Sequence, residues 1–164
     1  MIPPVDFRKF EPTKQQLVKI VEEAALAHGL DPILMFALVE QESNWNPWAI
    51  RYEPAFYTHH VVPTHHKTIL SESELRGRAI SWGLFQIMGE TARGFGNSKG
   101  GFKGKFLAEL VQPNINAEFG CKTFRQMLDK ALGDEGEALL LYNGGGNPDY
   151  DDEVIARKVH YLKS

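Results

Sequence analysis

Hydrophobic positions recur at helical spacing along most of the chain, which predicts a mainly α-helical protein. A first helix is predicted to begin after Thr13, because Thr13 followed by Gln16 is the pattern of a capping box. The apolar face of this helix continues until Gly29 ends it. Asp31 is predicted to cap a second helix, since a proline follows it at the first helical position.

The second helix carries the most apolar run of the chain, residues 33–39. A helix that is apolar on every side is normally buried, so an acid at its C-terminal end lies where the core meets a cleft. Glu40 and Glu42 both follow the run at helical spacing, and periodicity does not choose between them. A carboxyl group held there against apolar walls should have a raised pKa, as a general acid needs. The structural alternative is a surface glutamate at a helix end.

The second helix is expected to end near Asn46, because the next residue is a proline. Residues 50–80 lack a clear period, and we expect a polar loop or a short hairpin over the cleft. Residues 94–104 hold five glycines and are expected to form a mobile surface loop. Further helices are predicted to start at Pro113, Glu135 and Asp152.

These elements predict one mainly α domain over residues 13–164, preceded by an N-terminal lead-in over residues 1–12 and interrupted by an irregular insertion at about residues 50–80. A chain of 164 residues is long enough to bury a sizeable core. The net charge of −3 lacks the basic footprint of a nucleic-acid-binding protein. No apolar run approaches the length of a membrane span, so we expect no stable membrane insertion.

Four histidines, His59, His60, His65 and His66, cluster within the irregular segment. Such a cluster raises the question of a metal site. The histidines lack the one-face spacing and the nearby cysteines of common zinc patterns. The single cysteine, Cys121, lies on an apolar helical stripe and is predicted to be a core residue. We therefore favour a polar loop, and we expect neither a metal nor another cofactor.

Several stretches of the chain fall into register, in order, with the motifs of one family. They are ESNWNPWA at residues 42–49, GLFQIM at residues 83–88, Pro113 with Asn116 and Gly120, and Ala138 with Tyr142, Asn143 and Gly145. In this the sequence resembles the catalytic domain of soluble lytic transglycosylases, a branch of the lysozyme superfamily that also contains goose-type lysozymes. The resemblance covers about residues 14–162 and implies a lysozyme-like fold.

The resemblance implies that the substrate is the glycan strand of peptidoglycan, cut between N-acetylmuramic acid and N-acetylglucosamine. It also chooses Glu42 over Glu40 as the catalytic acid. Glu42 would protonate the glycosidic oxygen and then act as a base towards the 6-hydroxyl of the muramic acid, closing a 1,6-anhydro ring. The N-acetyl carbonyl of the substrate would stabilise the positive charge that develops. No second carboxylate is then required.

Five further residues are expected to bind substrate: Ser43, Gln86, Met88, Tyr142 and Asn143. Gln86 is a neutral polar residue in an apolar run, which costs stability unless the amide is hydrogen-bonded. Tyr142 and Asn143 end a predicted helix, from which they could orient Glu42 or the N-acetyl group. The structural alternatives are a core position for Tyr142 and a helix C-cap for Asn143. Ser43 could instead tighten the turn at the helix end.

Glu53 suggests an alternative mechanism, hydrolysis of the glycosidic bond. It could be a second carboxylate that positions water, as in an inverting hydrolase, and the protein would then be a true lysozyme. The structural alternative is an exposed acid, or one paired with Arg51. Two other functions are a chitin-directed glycosidase and a non-catalytic wall-binding or structural module of a phage particle. Retention of Glu42 argues against a binding module, because binding alone does not need the acid.

Residues 52–80 depart from the pattern of the periplasmic members, and RYEPAFY at residues 51–57 resembles phage-encoded muralytic enzymes. The N-terminus lacks the features of a signal peptide. We therefore expect a monomer that is made in the cytoplasm and acts on cell-wall peptidoglycan, either in host lysis or as part of a virion. A holin or the virion would then provide access to the wall.

Overall fold

The apolar run at residues 33–39 becomes the centre of the hydrophobic core. The computed structural model describes residues 11–94 and 101–163. In it, helix α2 (Pro32–Ser43) is buried at each position from Leu34 to Val39. The Asp31 side chain caps the helix by accepting a hydrogen bond from the Ile33 backbone amide at 2.9 Å. The helix ends earlier than predicted, because the backbone turns left-handed at Asn44, with φ 49°.

Helix α1 (Lys14–Ala27) begins with the predicted capping box. The Thr13 backbone amide donates to the Gln16 side-chain oxygen at 2.8 Å, and the Gln16 backbone amide donates to the Thr13 hydroxyl at 3.2 Å. Gly29 follows the helix with φ 64°, a conformation that glycine adopts without strain. The predicted start and end of this helix are therefore confirmed. The lead-in at residues 1–10 and most of the loop predicted at 94–104 lie outside the described residues.

The second half of the chain is helical, as predicted. Its elements are a 3₁₀ helix (Leu107–Val111), α7 (Pro113–Lys130), α8 (Glu135–Asn143) and α9 (Tyr150–Tyr161). Helix α9 packs along α2, and α7 packs against both α1 and α8. Among the described residues no helix has the length and apolar character needed to cross a membrane. The predicted start of the last helix at Asp152 is two residues late.

A small antiparallel sheet lies between the two helical parts. Its strands are β1 (Ile50–Tyr52), β2 (Ile80–Trp82) and β3 (Ile87–Met88), in that order. The register aligns Arg51 with Ser81, and Ser81 with Met88. The helices and this sheet together confirm the predicted mainly α fold class.

The insertion between β1 and β2 is helical, which corrects the expectation of a polar loop or hairpin. It contains α3 (Pro54–Phe56), a π-helical turn (Tyr57–Val61), α4 (Val62–His65) and α5 (Glu72–Arg78). Only the two ends of the insertion are paired as in a hairpin, because β1 and β2 are antiparallel neighbours. Val61 is the one buried residue within 54–65, so this segment has no repeating apolar face from which helix could be predicted.

Polar contacts attach the insertion to the body of the protein through helix α6 (Gly89–Arg93). Glu90 is only 3% exposed and pairs with Arg78 at 3.0 Å and with His65 at 2.9 Å. Arg93 pairs with Glu74 at 2.8 Å, and Arg78 contacts the same carboxylate at 3.1 Å. His65 thus contacts a carboxylate that also pairs with an arginine. No three His, Cys, Asp or Glu side chains of the described residues are grouped so as to hold a metal ion.

The turn between β2 and β3 is held in place by Asn116 of α7, whose side chain is fully buried. Its carbonyl oxygen accepts from the Phe85 amide at 2.8 Å. Its amide group donates to the Trp82 carbonyl at 2.7 Å and to the Leu110 carbonyl at 2.8 Å. One turn further along the helix, Gly120 lies against the Phe85 ring, where a Cβ atom would come within 2.2 Å. The Pro-x-x-Asn-x-x-x-Gly pattern therefore positions this turn.

Asn116→Ala should lower the free energy of unfolding by about 3 kcal/mol, because three buried backbone groups lose their partner. Urea unfolding followed by circular dichroism measures the change. Asn114→Ala is the matched control, since Asn114 is exposed in the same helix and its loss should be nearly neutral. A loss below about 0.5 kcal/mol in Asn116→Ala would show that the turn does not depend on this side chain.

Candidate active site

A cleft opens where the C-terminal end of α2 meets the small sheet and helices α6, α7 and α8. Residues from each of these elements line it: Glu42, Arg51, Ser81, Gln86, Ile87, Met88, Thr91, Thr123, Tyr142 and Asn143. Four of the residues predicted to bind substrate are in this set, together with the predicted catalytic acid. The cleft thus gathers motif residues that are up to 101 positions apart in the chain.

Glu42 is the only acidic side chain among the described residues that line the cleft. It lies on the last turn of α2, directly after the buried run. Burial raises the pKa of Glu42 above its ordinary value, against the opposing effects of a hydrogen bond from Tyr150 and the positive charge of Arg51. The predicted rise is therefore confirmed, and its cause is the predicted one.

Glu40 has a different environment, although it follows the same apolar run. It accepts a hydrogen bond from the Tyr161 hydroxyl and pairs with Arg157 at 3.2 Å. It borders a separate surface depression on the other side of α2, beside α9. An acid neutralised by arginine is suited to stabilising the packing of two helices. The geometry thus separates two carboxylates that periodicity left equivalent.

Tyr150 is the closest partner of Glu42 and was not identified from the sequence. Its hydroxyl donates a hydrogen bond to Glu42 Oε1. Burial and the neighbouring carboxylate raise the pKa of Tyr150 far above its ordinary value, so the hydroxyl keeps its proton and remains a donor. Tyr150 begins α9, two residues before the predicted start of that helix. Only the packing of α9 on α2 brings the two residues together.

Gln86 and Met88 both line the cleft, as expected for residues that bind substrate. The Gln86 amide nitrogen also donates to the Ala49 carbonyl at 3.1 Å and to the Gly83 carbonyl at 2.9 Å. Gln86 has φ 46°, and these bonds hold it in that left-handed conformation. Its nitrogen therefore has a structural role, and its side-chain oxygen accepts no hydrogen bond from the described residues.

Tyr142 and Asn143 also line the cleft, at the end of α8. The Tyr142 hydroxyl donates to the Phe85 carbonyl at 2.7 Å, not to Glu42. Burial, with the nearby charge of Glu42 as a smaller cause, raises the pKa of Tyr142 well above its ordinary value. Asn143 is the last helical residue, and Gly144 takes the left-handed position that ends the helix. The predicted C-cap role therefore falls to the glycine.

Ser43 and Glu53 lie outside the set of described residues that line the cleft. The Ser43 hydroxyl donates to the Val39 carbonyl one turn back in α2, at 3.2 Å. Glu53 accepts a hydrogen bond from Arg51 Nε at 2.5 Å, which is the pairing weighed from the sequence. These contacts are structural. A role in substrate binding for Ser43, or in water activation for Glu53, stays a prediction.

Four polar residues of the cleft were missed: Arg51, Ser81, Thr91 and Thr123. Ser81 is buried and lies between Arg51 and Met88 in the register of the sheet. A correct prediction of the sheet would have found this row, because opposed residues in antiparallel strands point to the same face. Thr91 and Ala92 follow the GLFQIM stretch at the spacing of the family motif, but Thr91 was not predicted as a site residue. Thr123 lies on a helix surface, where the sequence offers no distinguishing signal.

The geometry of the cleft agrees with a comparison of the whole sequence with known families. Residues 19–160 match the family described as the transglycosylase SLT domain. No solved structure matches the chain. The family match includes every residue of the cleft, from Glu42 to Asn143. The chain therefore belongs to the transglycosylase SLT domain family, and it is a peptidoglycan lytic transglycosylase.

Proposed function

We propose that the protein cleaves the β-1,4 bond between N-acetylmuramic acid and N-acetylglucosamine and forms 1,6-anhydro-muramic acid ends, with Glu42 as general acid and then as base. One observation carries the proposal. Glu42 is the single carboxylate among the described residues lining the cleft, and burial raises its pKa. A protonated carboxyl at neutral pH is the form that a general acid requires.

In the first step Glu42 donates its proton to the glycosidic oxygen while the bond from that oxygen to the muramic acid anomeric carbon breaks. The N-acetylglucosamine unit leaves with a 4-hydroxyl group. The N-acetyl carbonyl oxygen of the muramic acid stabilises the positive charge at the anomeric carbon. Glu42 is now a carboxylate, which the hydrogen bond from Tyr150 and the charge of Arg51 both stabilise.

In the second step the Glu42 carboxylate removes the proton of the muramic acid 6-hydroxyl. The 6-oxygen attacks the anomeric carbon and the 1,6-anhydro ring closes, which removes the positive charge that the N-acetyl oxygen had stabilised. Glu42 is protonated again and ready for another cycle. This step requires an oriented sugar and restricted access for water. Met88 and Ile87 supply apolar contact, and Thr123 and Asn143 offer hydrogen bonds to hydroxyl or N-acetyl groups.

Hydrolysis is the alternative outcome of the first step. It would need a second carboxylate to position water against the sugar. Glu53 is the candidate, but one of its oxygens already accepts a hydrogen bond from Arg51. Glu53 is also not among the described residues that line the cleft. The geometry therefore favours the 6-hydroxyl over water as the nucleophile. We also propose, from the resemblance of residues 51–57, that a monomer acts on wall peptidoglycan in phage-mediated lysis or infection.

Glu42→Gln preserves the size of the side chain but removes the proton that is transferred. We expect release of muropeptides from purified peptidoglycan to fall by roughly a thousandfold. Mass spectrometry of the fragments should show anhydro ends with the native protein and none with the variant.

Glu40→Gln is the matched control, because Glu40 lies two residues away on the same helix and outside the cleft. It should still produce anhydro ends. If Glu40→Gln abolished release and Glu42→Gln did not, the assignment of the acid would be wrong. Reducing ends from the native protein would mean hydrolysis and would give Glu53 a catalytic role.

Tyr150→Phe removes the hydrogen bond that lowers the pKa of Glu42, so that pKa should rise further. Activity that needs protonated Glu42 falls as the pH rises through its pKa. The alkaline limb of the pH profile of kcat/KM should therefore move to higher pH. We also expect kcat to fall about tenfold, because the carboxylate formed in the first step loses a donor.

Tyr161→Phe controls for the loss of a tyrosine hydroxyl in α9, since Tyr161 makes the corresponding bond to Glu40. Its alkaline limb should coincide with that of the native protein. An unchanged alkaline limb in Tyr150→Phe would show that this hydrogen bond does not set the protonation of the acid.

A further inference from the structure

The small sheet presents a row of three side chains to the cleft. Arg51 of β1 is aligned with Ser81 of β2, which is aligned with Met88 of β3. All three line the cleft that contains Glu42. A guanidinium, a hydroxyl and a thioether therefore form one wall of the cleft, with the cation on the outer strand β1.

Arg51 is the only cationic side chain among the described residues that border this cleft. Its side chain is 70% exposed, so the guanidinium is within reach of a ligand. The Nε atom donates to Glu53 at 2.5 Å. The two terminal nitrogens donate to no acceptor within residues 11–94 and 101–163. Glu53 thus fixes one edge of the guanidinium, and the other edge remains available.

The acid chemistry uses this cation in one step only, where its charge stabilises the Glu42 carboxylate that the first step forms. The charge of Arg51 lowers the pKa of Glu42 and so opposes the protonated form. Hydroxyl and N-acetyl groups of a neutral sugar can be bound by uncharged side chains such as Ser81 and Asn143. A planar guanidinium is suited instead to a carboxylate, to which it donates two parallel hydrogen bonds.

We propose that Arg51 is a specificity-determining residue that binds a carboxylate of the peptide arm attached to muramic acid. This inference rests on the proposed function and adds to it a preference for the acidic substituent of the glycan strand. Glu53 acts as the positioning residue that orients the guanidinium. The cleft then discriminates peptide-bearing strands from uncharged polymers of N-acetylglucosamine.

The test compares two forms of one substrate. Soluble, uncross-linked peptidoglycan strands are first acetylated on their peptide amines. One half is then amidated with carbodiimide and excess ammonium, which converts the carboxylates into neutral amides. The native protein should cleave the acidic strands about ten- to a hundredfold more efficiently, in kcat/KM, than the amidated strands.

Arg51→Gln should lose most of this preference, so that its ratio of the two kcat/KM values lies near one. The ratio is the informative quantity, because kcat/KM reports the pKa of Glu42 in the free enzyme, and a change in that pKa affects both substrates equally. Arg51→Lys keeps the positive charge but lacks the planar guanidinium that donates two parallel hydrogen bonds, so it should give an intermediate ratio. Arg76→Gln is the control, since Arg76 is an exposed arginine of the insertion that pairs with Glu72 outside the cleft. It should keep the native ratio.

The outcomes separate this inference from the proposed function. Anhydro products with a native ratio near one, or a native ratio retained in Arg51→Gln, would overturn the role of Arg51 and leave the proposed function in place. Absence of cleavage of either substrate by the native protein would overturn both.

Discussion

The burial of α2 is the constraint on which the rest of the structure depends. The helix is enclosed over residues 34–39, with α1 and α9 packed against it, so its last turn is the first place where a side chain can reach solvent. The backbone then turns left-handed at Asn44 and Trp45, which ends the helix. Glu42 is thereby held at the edge of an apolar interior, and the same burial that stabilises the fold raises its pKa.

The wall that faces Glu42 is built by side chains whose polar groups first satisfy the backbone. Asn116 bonds two backbone groups of the β2–β3 turn and one carbonyl of the 3₁₀ helix. Gln86 connects the turn to the Ala49 carbonyl, and Tyr142 donates to the Phe85 carbonyl. A turn that carries a residue with positive φ and buried amides requires such partners. Several motif residues are therefore needed to shape the cleft, whether or not they also contact the sugar.

Local interactions explain which features the sequence predicts. Helices α1, α2, α7 and α8 were predicted, since their capping or breaking residues lie within a few positions of each other, whereas the Ser71 cap of α5 was an equally local signal that was overlooked. The first part of the insertion was not predicted, because Val61 is its one buried residue before His65, and a contact between His65 and Glu90 attaches it to α6. Tyr150 and Arg51 were missed as members of the site for the same reason. Their positions depend on helix packing and strand register, which no local pattern encodes.

The protonation of Glu42 results from a competition between burial, which raises its pKa, and two groups that lower it, Tyr150 and Arg51. Of these two, only Arg51 is exposed to a ligand. A carboxylate bound to the guanidinium would offset its positive charge and weaken its effect on Glu42. The acid would then be most fully protonated when an acidic strand occupies the cleft. Recognition of the substrate and readiness for proton transfer would thus be coupled through one side chain.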